Sequence, residues 1–544
     1  MKYQPVLKSF LSNSAKFPER AFLHQPYNQK WQTFTFAEVE HQARCVARGL
    51  QAQGFRQGDR IGIISKNCAE WFIADLAIMM AGMISVPIYP TAGEKTISFV
   101  VKHSDMKAIF VGKFDSTEAA NKAIKDTVLR IAFPYPTIPA TEGFQQWVDQ
   151  YPAVDEIYQA DIDECMSIVY TSGTTGDPKG VVMSYKNLAS AAKSAAELSN
   201  TGHEDRLLSY LPLAHITERS LAECIAYYAA PQVYFVESLE TFINDLRHAS
   251  PTLFISVPRL WAKFQAQVLA ELPDKRLSFL LKIPVVSNIV AKKIRTKLGL
   301  NNTREFGCGS APIAVSLLRW YQKIGINIRE GWGMSETSGL SCANAPFKPE
   351  NVGTIGYPLD CVEMKVSDNK EILIRGDAVF KQYYLAPKMT EESFTGDWFH
   401  TGDCGEMRSN GAFKIIGRIK EQFKTAKGKY VAPVPIENML SRNSRIEQIC
   451  VMGSGLKQPI ALVVLGESND ADDSALLSEL TATLKDVNAK LESHQRLDYL
   501  FICLEPWTTE NDLLTPTLKL KRNEIERSYS ARLPTVIKTE IIVE

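Results

Sequence analysis

The stretch VYTSGTTGDPKG, residues 169–180, sets six hydroxyl or glycine residues in a row: Thr171, Ser172, Gly173, Thr174, Thr175 and Gly176. Pro178, Lys179 and Gly180 follow. Serines, threonines and glycines offer hydroxyl donors and backbone N–H groups that a ligand can approach closely, and the lysine adds a mobile positive charge. That is the chemistry of a phosphate clamp. Similar runs also serve as polar linkers, but SIVY (167–170) reads as a short buried strand and SYKNLASAAKSAAEL (184–198) as a helix. Strand, glycine-rich loop and helix in that order predict an anion-binding turn. Spacing excludes two common nucleotide loops. A P-loop requires four residues between its first glycine and Gly-Lys-Ser/Thr, whereas Lys179 stands between Pro178 and Gly180. The pattern G-x-G-x-x-G fails because Gly173 is followed by Thr174-Thr175-Gly176.

The elements that must carry this loop alternate along the chain. RIGIIS (60–65) predicts a strand, AEWFIADLAIMMAG (69–82) a helix and ISVPIY (84–89) the next strand. VYFVE (233–237), FINDLRHAS (242–250) and TLFISV (252–257) repeat the order, as do REFGCGS (304–310), the helix expected over 313–325 and NIREGWG (327–333). Strand, helix and strand with short connections predict parallel sheets in an α/β architecture. Beyond about residue 370, EILIRG, GAFKIIG and YVAPVPIE read as a small β-rich part. A compact α+β tail follows from about 421, with QICVMG and ALVVLG as strands.

Composition narrows the class. A chain of 544 residues suggests about two to four domains and a large core. Lys plus Arg and Asp plus Glu are both 61, so no polyanion is implied as the main partner and nucleic acid is not expected. The ten cysteines are scattered, without CxxC pairs or zinc spacing, and read as reduced thiols of a cytoplasmic protein. The N-terminal residues lack the apolar core of a signal peptide. LAIMMAGMISVPI (76–88), the longest apolar run, is too short to span a bilayer.

The first loop resembles the phosphate-binding signature of the adenylate-forming (AMP-binding) enzymes, the superfamily of acyl-CoA synthetases, peptide-synthetase adenylation domains and luciferases. Six further stretches match that superfamily in order. YLPLAHITER (210–219) resembles the segment whose histidine, here His215, sits near the acyl pocket; a lone histidine is otherwise more often a packed structural one. FGCGSAPI (306–313), with Gly309, Ser310, Ala311 and Pro312, resembles the segment along adenine. Glycines there let backbone approach a flat base, and Pro312 is placed at the first turn of the next helix. EGWGMSETSG (330–339) maps Trp332 onto the base-stacking aromatic, with Gly333 beside it, Ser335 onto the α-phosphate hydroxyl and Glu336 onto the Mg²⁺ carboxylate. Many members have Tyr and Thr at the first two roles. WFHTGD (398–403) maps Asp403 onto the ribose-binding aspartate, since a carboxylate accepts two hydrogen bonds from a cis-diol. GRIKEQFKTAKGKYVAP (417–433) gives Arg418 as a nucleotide contact, Lys420 as the hinge and Gly428 in the loop facing the thiol acceptor. LLTPTLKLKR (513–522) maps Lys519 onto the catalytic lysine, preferred over Lys521 on spacing, with Arg522 three residues later.

The resemblance implies a large N-terminal adenylation domain over 1–416, a hinge at 417–420 and a small mobile α+β C-terminal domain over 421–544. It implies that a carboxylate attacks the α-phosphorus of Mg·ATP to give an acyl-adenylate and pyrophosphate. The thiol of coenzyme A then takes the acyl group and AMP leaves. PLAHITER, SVPRLWAKF (256–264) and LTPTLKLKR look most like the long-chain fatty acyl-CoA synthetases. Transfer to a carrier-protein thiol or another acceptor, an oxygen-dependent luciferase-type step and a non-catalytic nucleotide-binding scaffold stay open at this point. So does the stretch KRLSFLLKIPVVSNIVAKKIRTK (275–297), with seven basic residues and no acidic one. It reads as a helical pair packed on the core with a solvated face, or as a peripheral contact with an anionic membrane.

Overall fold

The computed structural model describes residues 3–171, 177–443, 445–466, 473–509, 511–515, 519–534 and 539–544. The chain divides into two compact units. The first comprises Met1–Ala311, Leu317–Met364 and Ile374–Phe399, and the second Pro312–Ser316, Lys365–Leu373 and His400–Glu544.

Two large sheets build the first unit. A seven-stranded sheet runs in the order Glu142–Gly143, Leu129–Ala132, Met106–Val111, Arg60–Ile64, Ile84–Ile88, Cys165–Thr171 and Lys179–Ser184. Its pairings are parallel except the last, where Lys179–Ser184 turns back against Cys165–Thr171. A nine-stranded sheet has a parallel centre, Ala21–Tyr27, Gln232–Phe235, Arg206–Ser209, Leu253–Ser256, Glu305–Cys308 and Ile328–Met334, with antiparallel strands at both edges. The α/β expectation is met, and the reason is visible in the residues. Runs such as Ile61, Ile63 and Ile64 are buried on both faces, as parallel strands covered by helices require. The helix Ala69–Met80 is buried along its whole length, so it belongs to the core shared by both sheets rather than to a surface layer. Tyr185–Leu198 starts where Ser184 caps the Asn187 N–H and Asn187 returns the bond, a reciprocal cap.

The strand–loop–helix expectation for the first motif needs correction. The loop does not enter a helix; it joins the two antiparallel strands, and the helix begins only at Tyr185. Val181-Val182-Met183 favours a pleated strand, which the sequence reading passed over. Two smaller corrections concern prolines. The helix after FGCGSAPI begins at Val315, beyond Pro312. YVAPVPIE is largely the helix Pro433–Leu440, because prolines in a first turn give up N–H groups that have no intrahelical acceptor anyway.

In the second unit, Trp398–Met407 continues into it and pairs with Phe413–Arg418. A four-stranded sheet, Ile446–Met452, Ile460–Leu465, Leu500–Cys503 and Ile541–Val543, carries the helices Pro433–Leu440, Ser474–Ala489 and Arg522–Ser530. It has its own apolar core, the expected small α+β part.

Candidate active site

Lys179 opens the returning strand, directly opposite Thr171. These two residues flank the loop; Ser172, Gly173, Thr174, Thr175 and Gly176 lie outside the described residues. The Thr171 hydroxyl is buried and has no hydrogen-bond partner among the described residues, a state that a ligand oxygen would relieve. The Lys179 ammonium donates to Glu336 Oε1 at 2.6 Å and to the Tyr383 hydroxyl at 2.7 Å. Tyr383 also donates to Glu336 Oε1, at 2.8 Å. Backbone bonds hold the three together. Tyr384 N donates to Gly180 O and Val182 N to Gln382 O, so the segment with Tyr383 runs beside the lysine's strand. Phe380 N donates to Glu336 O and ties down the carboxylate's own turn.

Glu336 is buried. Burial alone would raise its pKa, but the Lys179 charge and hydrogen bond, with help from Tyr383, outweigh burial and hold the carboxyl below its ordinary value. Burial and the neighbouring Glu336 charge push the Tyr383 phenol up, so it stays a donor. Tyr383 is the member that sequence reading missed. QYYLAP carries no motif by itself, and only the strand pairing brings its hydroxyl to Lys179.

Magnesium fits this position as a shared ligand. The ion takes one or two carboxylates and completes its shell with phosphate oxygens and water. Glu336 supplies one ionised carboxylate, and among the described residues no group of three His, Cys, Asp or Glu side chains could hold a metal unaided.

The segment before Glu336 is shaped by close backbone approach. Trp332 pairs with Cys342 across an antiparallel ladder whose register shifts at Trp332/Gly333. A Cβ on Gly333 would stand 1.5 Å from the Gly339 carbonyl oxygen, so only glycine fits. Ser335–Thr337 then forms one 3-10 turn that delivers Ser335, half-buried, and Glu336, buried, from adjacent positions.

Glu305–Cys308 lies parallel to Ile328–Met334. Gly309 and Ser310 follow its carboxyl end, where ligands gather in such sheets. Ser310 has a left-handed φ of 65°, and its hydroxyl meets the Thr217 hydroxyl at 3.2 Å. Ala311 and Pro312 are exposed. The predicted histidine segment therefore does meet the predicted adenine segment, but through Thr217. His215 is half-buried and caps the turn Ile216–Glu218 by accepting from Thr217 N at 3.2 Å. Arg219, at the end of PLAHITER, is a fully buried anchor. It bonds Asp75 at 2.7 Å, Ser85 at 2.8 Å and Glu223 at 3.3 Å, and opens the π-helical turn Arg219–Cys224.

That turn presents Leu221, with Ile225 beyond it, to a largely apolar cavity of about 100 Å³. Leu207, Leu253, Ile255 and Leu340 continue the wall. Gly309, Ser310, Trp332, Gly333 and Thr217 line the cavity at the carboxyl end of the strands, and Glu305 and Arg329, an ion pair, line it at the amino end. From Glu305 to Gly309 the strand rise is about 13 Å.

In the second unit Asp403 and Arg418 are direct cross-strand partners, joined at 2.9 Å with the carboxylate nearly buried and the guanidinium 41% exposed. Lys420 is exposed in the turn Ile419–Glu421. Gly428 has a φ of 75° at the end of a hairpin of Phe423–Lys424 and Tyr430–Val431, a conformation that favours glycine. Lys519 is exposed, and its backbone bonds Thr515 through N–H to Oγ1 at 3.1 Å and through O from Thr515 N at 2.8 Å. Lys521 is engaged with Asp512. Arg522 forms a two-pronged pair with Glu437, both contacts at 2.5 Å. It anchors the helix that follows Lys519.

Comparison with known proteins gives the family. The family described as AMP-binding enzyme matches residues 10–384, and the AMP-binding enzyme C-terminal domain matches 420–539. The long-chain-fatty-acid–CoA ligase FadD15 of Mycobacterium bovis is 30% identical, over 94% of this chain and 93% of its own. Long chain acyl-CoA synthetase 3 of Arabidopsis thaliana is 28% identical, over 93% of this chain and 87% of its own. Among solved structures, the anthranilate CoA ligase AuaEII with anthranoyl-AMP superposes with a TM-score of 0.81 at 20% identity, covering 98% of both chains. The o-succinylbenzoate CoA synthetase of Bacillus subtilis with ATP and magnesium gives 0.72 at 23%, covering 96% of this chain and 99% of its own. Those two likenesses concern the fold. With a loop anchored by Lys179, a carboxylate held at Glu336 and a family match over most of its length, the chain belongs to the AMP-binding enzymes, the adenylate-forming family that includes the acyl-CoA ligases.

Proposed function

We propose that the protein is an ATP-dependent ligase that activates a long-chain fatty acid as its acyl-adenylate and passes the acyl group to coenzyme A, releasing AMP and pyrophosphate. The observation that carries the acyl-adenylate reading is the apolar cavity, whose volume of about 100 Å³ takes the carboxyl end of an acyl chain. One end lies among Gly309, Ser310, Trp332 and Gly333, two residues before Ser335, and its walls are aliphatic side chains. The first carbons of an acyl chain would lie along the walls and leave the carboxylate at the glycine-lined end. The relatives named as long-chain ligases support the substrate class.

Neither half-reaction calls for a covalent protein nucleophile. The work is alignment of carboxylate, α-phosphorus and leaving pyrophosphate, and neutralisation of charge. In this reading Thr171, Lys179 and the loop 172–176 hold the β- and γ-phosphates. Ser335 orients the α-phosphate, Trp332 with Gly309–Pro312 takes the adenine, and Asp403 with Arg418 holds the ribose. His215, capping its turn at Thr217, lies on the acyl side. Lys519 supplies the positive charge of the adenylation step. Magnesium, bound through Glu336, would neutralise phosphate charge. The proposal divides the chain into an adenylation domain over 1–416, a hinge at 417–420 centred on Lys420, and a mobile domain over 421–544 that brings Gly428 to the thiol.

The test is carboxylate-dependent pyrophosphate release from Mg·ATP across fatty acids of increasing length, with and without coenzyme A. The expected result is release that requires a long acid, with AMP and an acyl thioester when coenzyme A is present. Release without thioester would point to another acceptor, such as a carrier-protein thiol. No release with any acid would overturn the proposal.

A further inference from the structure

Four of the exposed large apolar side chains fall within eleven residues: Phe279 at 65%, Ile283 at 37%, Val285 at 70% and Ile289 at 60% exposure. They sit on a helical pair, Asp274–Leu280 and Val286–Lys297. The first helix buries only Leu277, and the second only Ala291 and Ile294. At 100° per residue, Lys275 and Phe279 share the face opposite Leu277, and Lys282 is exposed in the turn that follows. Ile289, Lys292 and Lys293 share the face opposite Ala291 and Ile294. Val285, at the turn between the helices, has a φ of 70°. A β-branched residue seldom accepts that conformation, and here it turns an apolar side chain out into solvent.

Basic residues dominate the charges around this tip. Lys297 is matched by Glu271, and Arg295 donates to the Ile324 carbonyl. Lys275, Arg276, Lys282, Lys292 and Lys293 are exposed and form no ion pair with the described residues. Acidic groups nearby are Asp274, at the start of the first helix, and the already matched Glu271. Since the whole chain has a formal charge of zero, this is a local patch offset elsewhere.

The geometry points to a membrane-docking surface. The hairpin lies on an anionic lipid bilayer, the tip Phe279–Val285–Ile289 entering the boundary between headgroups and acyl chains while the lysines meet lipid phosphates. Unpaired lysines around outward apolar residues match a surface that is anionic outside and apolar beneath; an acidic protein would meet the charge but give less reason for the strained apolar tip. The inference stands apart from the ligase reading, although a fatty acid partitions into that same bilayer.

The test is co-sedimentation of the full chain with vesicles of phosphatidylcholine alone and with phosphatidylglycerol added. Binding is expected only to the anionic vesicles and should weaken with added salt. Lys292→Gln with Lys293→Gln should lower the vesicle-bound ratio by about 25-fold. Val285→Asp with Ile289→Asp should lower it at least as much, while the circular dichroism melting curve stays that of the parent. No binding to anionic vesicles at low salt overturns the inference. Binding that both double variants retain overturns this assignment of the surface. Pyrophosphate release in vesicle-free solution reads the ligase proposal separately.

Discussion

Glu336 shares one of its oxygens with two donors, and that sharing decides its chemistry. A buried carboxylate would ordinarily take up a proton; Lys179 and Tyr383 keep it ionised and available to a cation. Tyr383→Phe removes one donor and leaves the ammonium. The expected outcome is a roughly tenfold fall in pyrophosphate release. The acid limb of the pH–rate profile should move to higher pH, because the carboxyl loses part of what holds its pKa down. An unchanged profile would show that the phenol does not act through Glu336. Lys519→Ala is expected to slow adenylation by about a hundredfold or more, while conversion of supplied acyl-adenylate to thioester is largely spared. Equal loss of both half-reactions, measured separately, would remove Lys519 from its assigned role.

Elements place these side chains through backbone contacts that tolerate little change. At Gly333 an added methyl has no room against the Gly339 carbonyl, so Gly333→Ala should distort the hairpin that presents Trp332. AMP affinity, read by calorimetry, is expected to fall at least tenfold. Gly93→Ala is the control, because nothing lies within 4 Å of a Cβ there. The π-helical turn depends on Arg219, which bonds Asp75 and Glu223 in a fully buried cluster, where burial and the Asp75 charge push the Glu223 carboxyl well up. Arg219→Met leaves both acids without it, and urea denaturation should show a loss of about 3–5 kcal/mol. Sequence reading took PLAHITER as a segment near the acyl pocket. The segment meets the cavity through Thr217, with Leu221 two residues beyond its end, while its arginine turns inward.

Across the whole molecule, buried acids set how stability follows pH. Burial pushes the Glu218 carboxyl up to about 8, against hydrogen bonds from Ser209 and Tyr210 N that pull it down. The unfolded chain would release that proton near pH 4. Folding therefore retains a proton across the interval, and stability falls as pH rises from about 4 to about 8, then levels. Glu336 has the opposite sign, its contribution being lost on acidification. Glu218→Gln can still accept from Tyr210 N and Asn67 through Oε1, contacts now at 3.0 and 3.4 Å. Melting temperatures from pH 5 to 8.5 should decline less steeply in this variant, by a few degrees over the range. An unaltered slope would assign the decline to other groups.

Part of the proposed chemistry was suggested by local residue types. Hydroxyls and glycines beside Lys179 suggested phosphate from residue type alone, whereas the proposed roles of Glu336 toward a cation and Asp403 toward a diol came from the resemblance to the adenylate-forming enzymes. Periodicity, likewise local, showed the alternating strands and helices. Partners distant in sequence were not legible. Tyr383 reaches Lys179 across 204 positions, and Arg219 reaches Asp75 across 144. Those contacts follow from how strands pair and helices bury, which no short stretch records. The same holds for the face of residues 275–297: the sequence determined that it would be basic and apolar, and packing through Leu277, Ala291 and Ile294 decided which side chains were left facing water.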